Sequence, residues 1–198
     1  MKKTFIVLMC AVLVFSLYGC INMNGMCGEQ TVMSTTKPPV IAESITLGYD
    51  DEGEPKIITD DDLSELGQYD EIHSLVLANY NGTDLSALKQ VKGLQSLKLQ
   101  TMENLTDISF LTELKELKFL MIYNLSDEFT DISVLSQLTW LEELSLNNIG
   151  VDDFTPLHSL VQLKSLDMTS TAMTQSQYDA LVSALPDCEI KNVTIYND

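Results

Sequence analysis

No arginine occurs in this chain of 198 residues, and its eleven lysines stand against 29 acidic side chains. So little positive charge argues against nucleic acid and anionic lipid surfaces as partners, because both are bound through clustered cations. Histidine is nearly as scarce. His73 and His158 lie too far apart in the sequence to share a site within a compact repeat array. The sequence contains no G-x-S-x-G, no H-E-x-x-H, no phosphate-binding loop and no paired-cysteine motif. No cofactor or metal site is therefore expected, and no catalytic residue. The four cysteines (Cys10, Cys20, Cys27 and Cys188) are too few and too scattered for a disulfide framework. Long apolar runs are also missing. The longest, Phe5 to Tyr18, covers fourteen residues, too few to span a bilayer comfortably.

A recurring phrase is present instead. It reads Asp62-Leu63-Ser64-x-Leu66, Asp84-Leu85-Ser86-x-Leu88, Asp107-Ile108-Ser109-x-Leu111, Asp131-Ile132-Ser133-x-Leu135 and Asp153-Phe154-Thr155-x-Leu157, with steps of 22, 23, 24 and 22 residues. Thirteen residues after each Asp comes a second phrase: Leu75-x-Leu77, Leu97-x-Leu99, Leu120-x-Ile122, Leu144-x-Leu146 and Leu166-x-Met168. A period in this range marks a stacked-repeat solenoid. Within one repeat the apolar residues Ile132, Leu135, Leu138, Leu141 and Leu144 step by three, and Leu146 follows by two. Steps of three suit a 3₁₀ or short helical turn, and the step of two suits a strand buried on one face. Neither piece can bury its apolar side alone; stacked repeats bury it together. The Ser or Thr of the first phrase is expected to cap the helical turn, with the preceding Asp adding charge at its positive end.

These residues match the L-x-x-L-x-L pattern, and the chain resembles the internalin-like class of bacterial leucine-rich repeat proteins from about Asp60 onward. The resemblance implies an α/β solenoid with a short parallel sheet on the concave face and short helical or 3₁₀ segments on the convex face. It also implies a binding module rather than an enzyme. One departure stands out. The Asn that the class places three residues after the last strand Leu is replaced by Tyr80, Met102, Leu125, Ile149 and Thr171, while Asn79, Asn124 and Asn148 fall one residue earlier. An irregular turn after each strand is the expectation.

The ends have their own signatures. Lys2 and Lys3 followed by the Phe5–Tyr18 run read as a secretory signal over residues 1–19. Leu17-Tyr18-Gly19-Cys20 resembles a lipobox, which implies that Cys20 carries a lipid and anchors the chain at the outer face of a bacterial membrane. From Cys20 onward nine lysines face 29 acids, a charge of −20. Residues 20–40 are aperiodic and polar, as in a flexible tether. Residues 41–60 read as an N-terminal hairpin cap: Ile45-x-Leu47-x-Tyr49, a turn from Asp50 to Pro55, and Lys56–Thr59 returning. Five repeats fill residues 61–173. A capping helix with Tyr178, Leu181, Val182 and Leu185 at helical spacing fills residues 174–198 together with a strand holding Cys188 and Ile190. Cys188 is expected to be a small core side chain.

The strand residues beside each buried Leu pair should line the concave face. Four strands offer small or polar groups there, but the central one offers Phe119, Met121 and Tyr123 together. Such an apolar cluster with a polar rim of Lys98, Gln100, Glu143 and Asn147 suggests a site for a protein partner, or a glycan. The alternative is a structural envelope lipoprotein with no specific ligand.

Overall fold

The computed structural model describes residues 39–126 and 128–197. The signal segment, Cys20, Cys27 and nearly all of the tether lie outside the described residues. Seven strands form one sheet in the order β1 (Ile41–Leu47), β2 (Glu71–Ala78), β3 (Ser96–Met102), β4 (Phe119–Leu125), β5 (Glu143–Asn147), β6 (Ser165–Asp167) and β8 (Glu189–Lys191). Every pairing is parallel. Register follows the repeat. Leu75, Leu97, Leu120, Leu144 and Leu166 are cross-strand neighbours, and each is at most 1% exposed. 3₁₀ segments at Ser86–Gln90, Ser109–Glu113, Ser133–Gln137 and Thr155–Ser159 cover the other side. Each contributes one fully buried Leu: Leu88, Leu111, Leu135 and Leu157. One continuous apolar core results.

Capping of these segments works differently from the sequence expectation. The N-cap positions are Leu85, Ile108, Ile132 and Phe154, and none supplies a side-chain hydrogen bond. The cap is the Asp one residue earlier. Asp84 accepts from the Ser86 amide at 2.7 Å, Asp107 from Ser109 at 2.7 Å, Asp131 from Ser133 at 2.7 Å and Asp153 from Thr155 at 2.8 Å. An Asx turn lets the short Asp side chain reach an amide two residues on. The Ser and Thr residues sit inside the segment as donors.

The first phrase is different again. Asp60–Ser64 is a short helix, α1, capped by Thr59, whose amide and hydroxyl both donate to Asp62 at 2.9 and 3.0 Å. Burial alone would raise the Asp62 carboxyl, but those bonds and the Lys56 ammonium lower it. Tyr80 ties this helix to the next repeat. Its buried hydroxyl is 2.6 Å from Asp60 Oδ1 and 2.8 Å from the Asp84 carbonyl. Burial first, and the Asp60 carboxylate second, raise its pKa.

The N-terminal hairpin does not form as expected. β1 runs parallel to β2 over six residue pairs, so it is a further solenoid strand. Only a short fold-back forms, from Gly48 to Lys56, closed by the Asp50 amide on the Glu54 carbonyl and the Lys56 amide on the Gly48 carbonyl, both at 2.9 Å, and by an antiparallel bridge between Tyr49 and Pro55. Ile58 then bridges in parallel to Tyr80. Alternation could not distinguish a hairpin arm from a parallel strand, because both bury Ile45 and Leu47 on one face.

At the other end α2 (Gln175–Ala184) has a capping box in which Thr174 and Gln177 exchange bonds. Leu181 and Leu185 are buried, Tyr178 partly so, and Val182 is exposed. A second, two-stranded sheet pairs β7 (Ala172–Thr174) with β9 (Thr194–Tyr196). Ile190 aligns with Leu166, which puts Cys188 two residues before the core position assigned to it. Cys188 is accordingly only partly buried, and that burial pushes its thiol up. Among the described residues no helix is long and apolar enough to cross a membrane.

Candidate functional site

The outward-facing side chains of the sheet form three rows across the strands. The first contains Ser74, Ser96, Phe119, Glu143, Ser165 and Glu189. The second contains Val76, Lys98, Met121, Ser145, Asp167 and Lys191, and the third Ala78, Gln100, Tyr123 and Asn147. All seven concave residues expected from the sequence therefore lie on neighbouring strands β3, β4 and β5.

Their exposure is graded. Tyr123 is 43% exposed, while Phe119 and Met121 are partly buried. Long neighbours account for this. The Lys98 ammonium lies 5.7 Å from the centre of the Phe119 ring, within the range of a cation–π contact. The Gln100 amide donates to Met121 Sδ at 3.5 Å. Asn147 donates to Ser145 Oγ at 2.9 Å, and Ser145, expected at the surface, is only 4% exposed. It sits between Met121 and Asp167, whose longer side chains flank it.

The sequence reading missed Tyr49. The alternation Ile45-x-Leu47-x-Tyr49 put it on the core side, yet it is 41% exposed. Gly48 is the cause. Its φ of +104° breaks the alternation, and a Cβ there would stand 2.0 Å from the Ala78 carbonyl oxygen, so only glycine fits. Released onto the outer face, Tyr49 places its hydroxyl 3.5 Å from Gln100 Oε1. Two exposed tyrosines thus flank Gln100 in the third row. A glycine inside an alternating run was the one signal available.

The strand N-terminal edge has a row of its own. Glu142 is bridged by Lys118 at 3.9 Å and, more tightly, by Lys164; hydrogen bonding to Lys164 holds its carboxyl below the usual range. Farther along, His73 lies between Glu43 (3.1 Å) and Glu71 (3.6 Å), and its hydrogen bond to Glu43 raises its pKa. His158 is partly buried in its 3₁₀ segment. Among the described residues no three His, Cys, Asp or Glu side chains come together in a group able to hold a metal ion.

The family described as R13L1/DRL21 LRRs matches residues 43–125. The fold is a leucine-rich repeat solenoid. Two solved internalins of Listeria monocytogenes resemble it. Internalin C2 is 24% identical, with 70% of this chain and 68% of that one covered and a TM-score of 0.48. The internalin InlF is 19% identical, with 65% and 59% covered and a TM-score of 0.42. The present chain thus spans about three fifths of InlF. No curated protein sequence matches it significantly. The match over residues 43–125 begins within β1 and ends at the last residue of β4.

Proposed function

We propose that this leucine-rich repeat protein is a binding module rather than an enzyme, anchored through a lipid on Cys20 at the outer face of a bacterial membrane. Its concave sheet takes a protein partner at Phe119, Met121 and Tyr123. One observation carries the reading. The apolar cluster sits on the central strand, in register with Lys98 and Gln100 on one side and Glu143 and Asn147 on the other, and exposes Tyr123 at its edge. An aromatic anchor amid polar neighbours is the arrangement that concentrates binding energy at interfaces. The test is a pull-down from native cell envelope with the full chain in detergent, beside a Phe119→Ala/Tyr123→Ala variant. The wild type should retain a partner that the variant loses. A partner retained equally by both would move the site to the convex segments or the loop edges.

The anchor has its own test. The Cys20→Ala chain should leave the membrane fraction, and intact-mass analysis of the native membrane form should find Cys20 modified. An unmodified Cys20 in that form would defeat the anchor and leave the binding site untouched.

A further inference from the structure

The two rims of the sheet differ in charge: the rim that leads into the strands is mixed, its lysines standing among Glu113, Glu116 and Glu142, while the rim where the strands end is mainly acidic. Lys89, Lys92, Lys115, Lys118 and Lys164 all lie in the segments that lead into the strands. On the opposite rim, where the strands end, the described lysines are Lys56, held by Asp62 at 3.4 Å, and Lys191 at the end of β8, held by Glu189 at 2.8 Å. That rim is acidic: the turn Asp50–Glu54 after β1, Glu103 after β3, Glu128 after β4 and Asp152 after β5. Glu103, Glu128 and Asp152 are exposed, and none makes an ion pair among the described residues. The loops carrying Glu103 and Glu128 line one open hollow with Asn104 and Asn124. The third row of the sheet, with Gln100, Tyr123 and Asn147, borders this rim, because those residues are the last outward-facing ones of their strands, and Tyr49, just past the end of β1, reaches Gln100 there. Lys98 lies one row farther in.

We infer that the concave site takes a cationic peptide segment. An aromatic or aliphatic side chain of that segment lies over Gln100, flanked by Tyr49 and Tyr123, and its Lys or Arg residues lie over Glu103, Glu128 and the Asp50–Glu54 turn. The inference rests on the reading of the concave face as the binding face and adds the partner's charge and one further contact, Tyr49. Complementary charge at the rim steers encounter, while desolvated aromatic anchors hold the complex. A cation approaching from the other rim would meet lysines mixed with Glu113, Glu116 and Glu142, so the strand-end rim is the more favourable side of entry.

A random dodecapeptide library selected at low salt against the full chain in detergent tests this. Enriched sequences should combine Lys or Arg with Phe, Tyr, Trp or Leu. For a synthesised peptide from that pool, raising salt from about 50 to about 500 mM should weaken binding about tenfold or more, as screening of exposed charge requires. Tyr49→Ala and Tyr123→Ala should each weaken it about fivefold or more. Glu103→Gln with Glu128→Gln should slow association several-fold and leave dissociation nearly unchanged. Enrichment of neutral or acidic peptides, or no enrichment, overturns the cationic inference. So does Tyr123-dependent binding of soluble oligosaccharides in place of peptides, an outcome that keeps the concave face as the site. Cationic peptides that bind but ignore both tyrosines overturn the inference and the concave-face reading together.

Discussion

Each repeat turns left-handed at the end of its strand or just after it, at Asn79, Thr101, Asn124, Asn148 and Ser170, with φ between +51° and +58°. These residues are in register down the stack, so the turn is regular, against the expectation of an irregular one. Asn tolerates this conformation better than other side chains bearing a Cβ. It also bonds along the stack: Asn148 donates to Asn124 at 2.7 Å, and Asn79 to the Gly48 carbonyl at 2.8 Å. The Asn positions in the sequence carry this information, one residue before the position where the internalin-like pattern places Asn. That later position is instead buried in Tyr80, Met102, Leu125 and Thr171. Asn124→Ala should cost about 1–2 kcal/mol, from the left-handed backbone, and Asn124→Gly less, because only the side-chain bond is lost; urea melts of both variants check the order. Leu144, 1% exposed in the core, should cost roughly 2–5 kcal/mol on truncation to Ala. Its neighbour Ser145 is buried too, so Ser145→Ala should cost about 0.5–1.5 kcal/mol from the lost Asn147 bond. Equal losses at the two positions would mean that the strand register is wrong.

At the scale of elements, the 3₁₀ segments depend on ionised Asp caps. Hydrogen bonds from Ser86 to Asp84, from Ser133 to Asp131 and from Thr155 to Asp153 lower all three carboxyl pKa values. A carboxyl whose folded pKa is depressed adds stability above its unfolded value, about 3.9 for Asp, and loses it as pH falls through the folded value. His73 works in the opposite sense. Its pKa is raised, so the Glu43–His73 link between β1 and β2 is fully present below about 6.5 and is lost as pH rises through the folded value. Denaturation midpoints should therefore fall steeply below about pH 4. Asp131→Asn should flatten that acid limb, and His73→Gln should flatten only the limb near and above neutrality. If both variants kept the wild-type profile, these hydrogen bonds would not be setting stability. The elements themselves were legible because apolar spacing changes from three to two within every repeat. The caps were misassigned because Asp and Ser are both common cap residues, and spacing alone does not say which oxygen reaches the amide.

At the scale of the whole molecule, each strand touches only its neighbours, so stability should decline from the middle of the stack to its ends. β3 and β4 share six residue pairs, and β4 and β5 share five. β8 is attached to β6 by only three, and all three residues of β9 are exposed. β1 is an edge as well, but six pairs to β2 and the His73–Glu43 contact secure it. In the sequence, Pro186 marks the end of the capping helix, and a closing strand follows it. The sequence could not show how firmly the last strands are held, because that depends on pairs made across the stack. Native-state hydrogen exchange reads this gradient directly, since local opening exposes amides before global unfolding does. Amides of Leu97, Leu99, Leu120, Ile122, Leu144 and Leu146 should exchange only with global unfolding. Those of Glu189–Lys191 and Thr194–Tyr196 should exchange well before it, and those of β1 in between. The proposed site spans β3, β4 and β5, the most protected part of this gradient, with Tyr49 beside the less protected β1, so a partner would meet its firmest surface at the centre. Uniform protection from β1 to β9 would mean that the solenoid opens as one unit and that its ends are as firm as its centre.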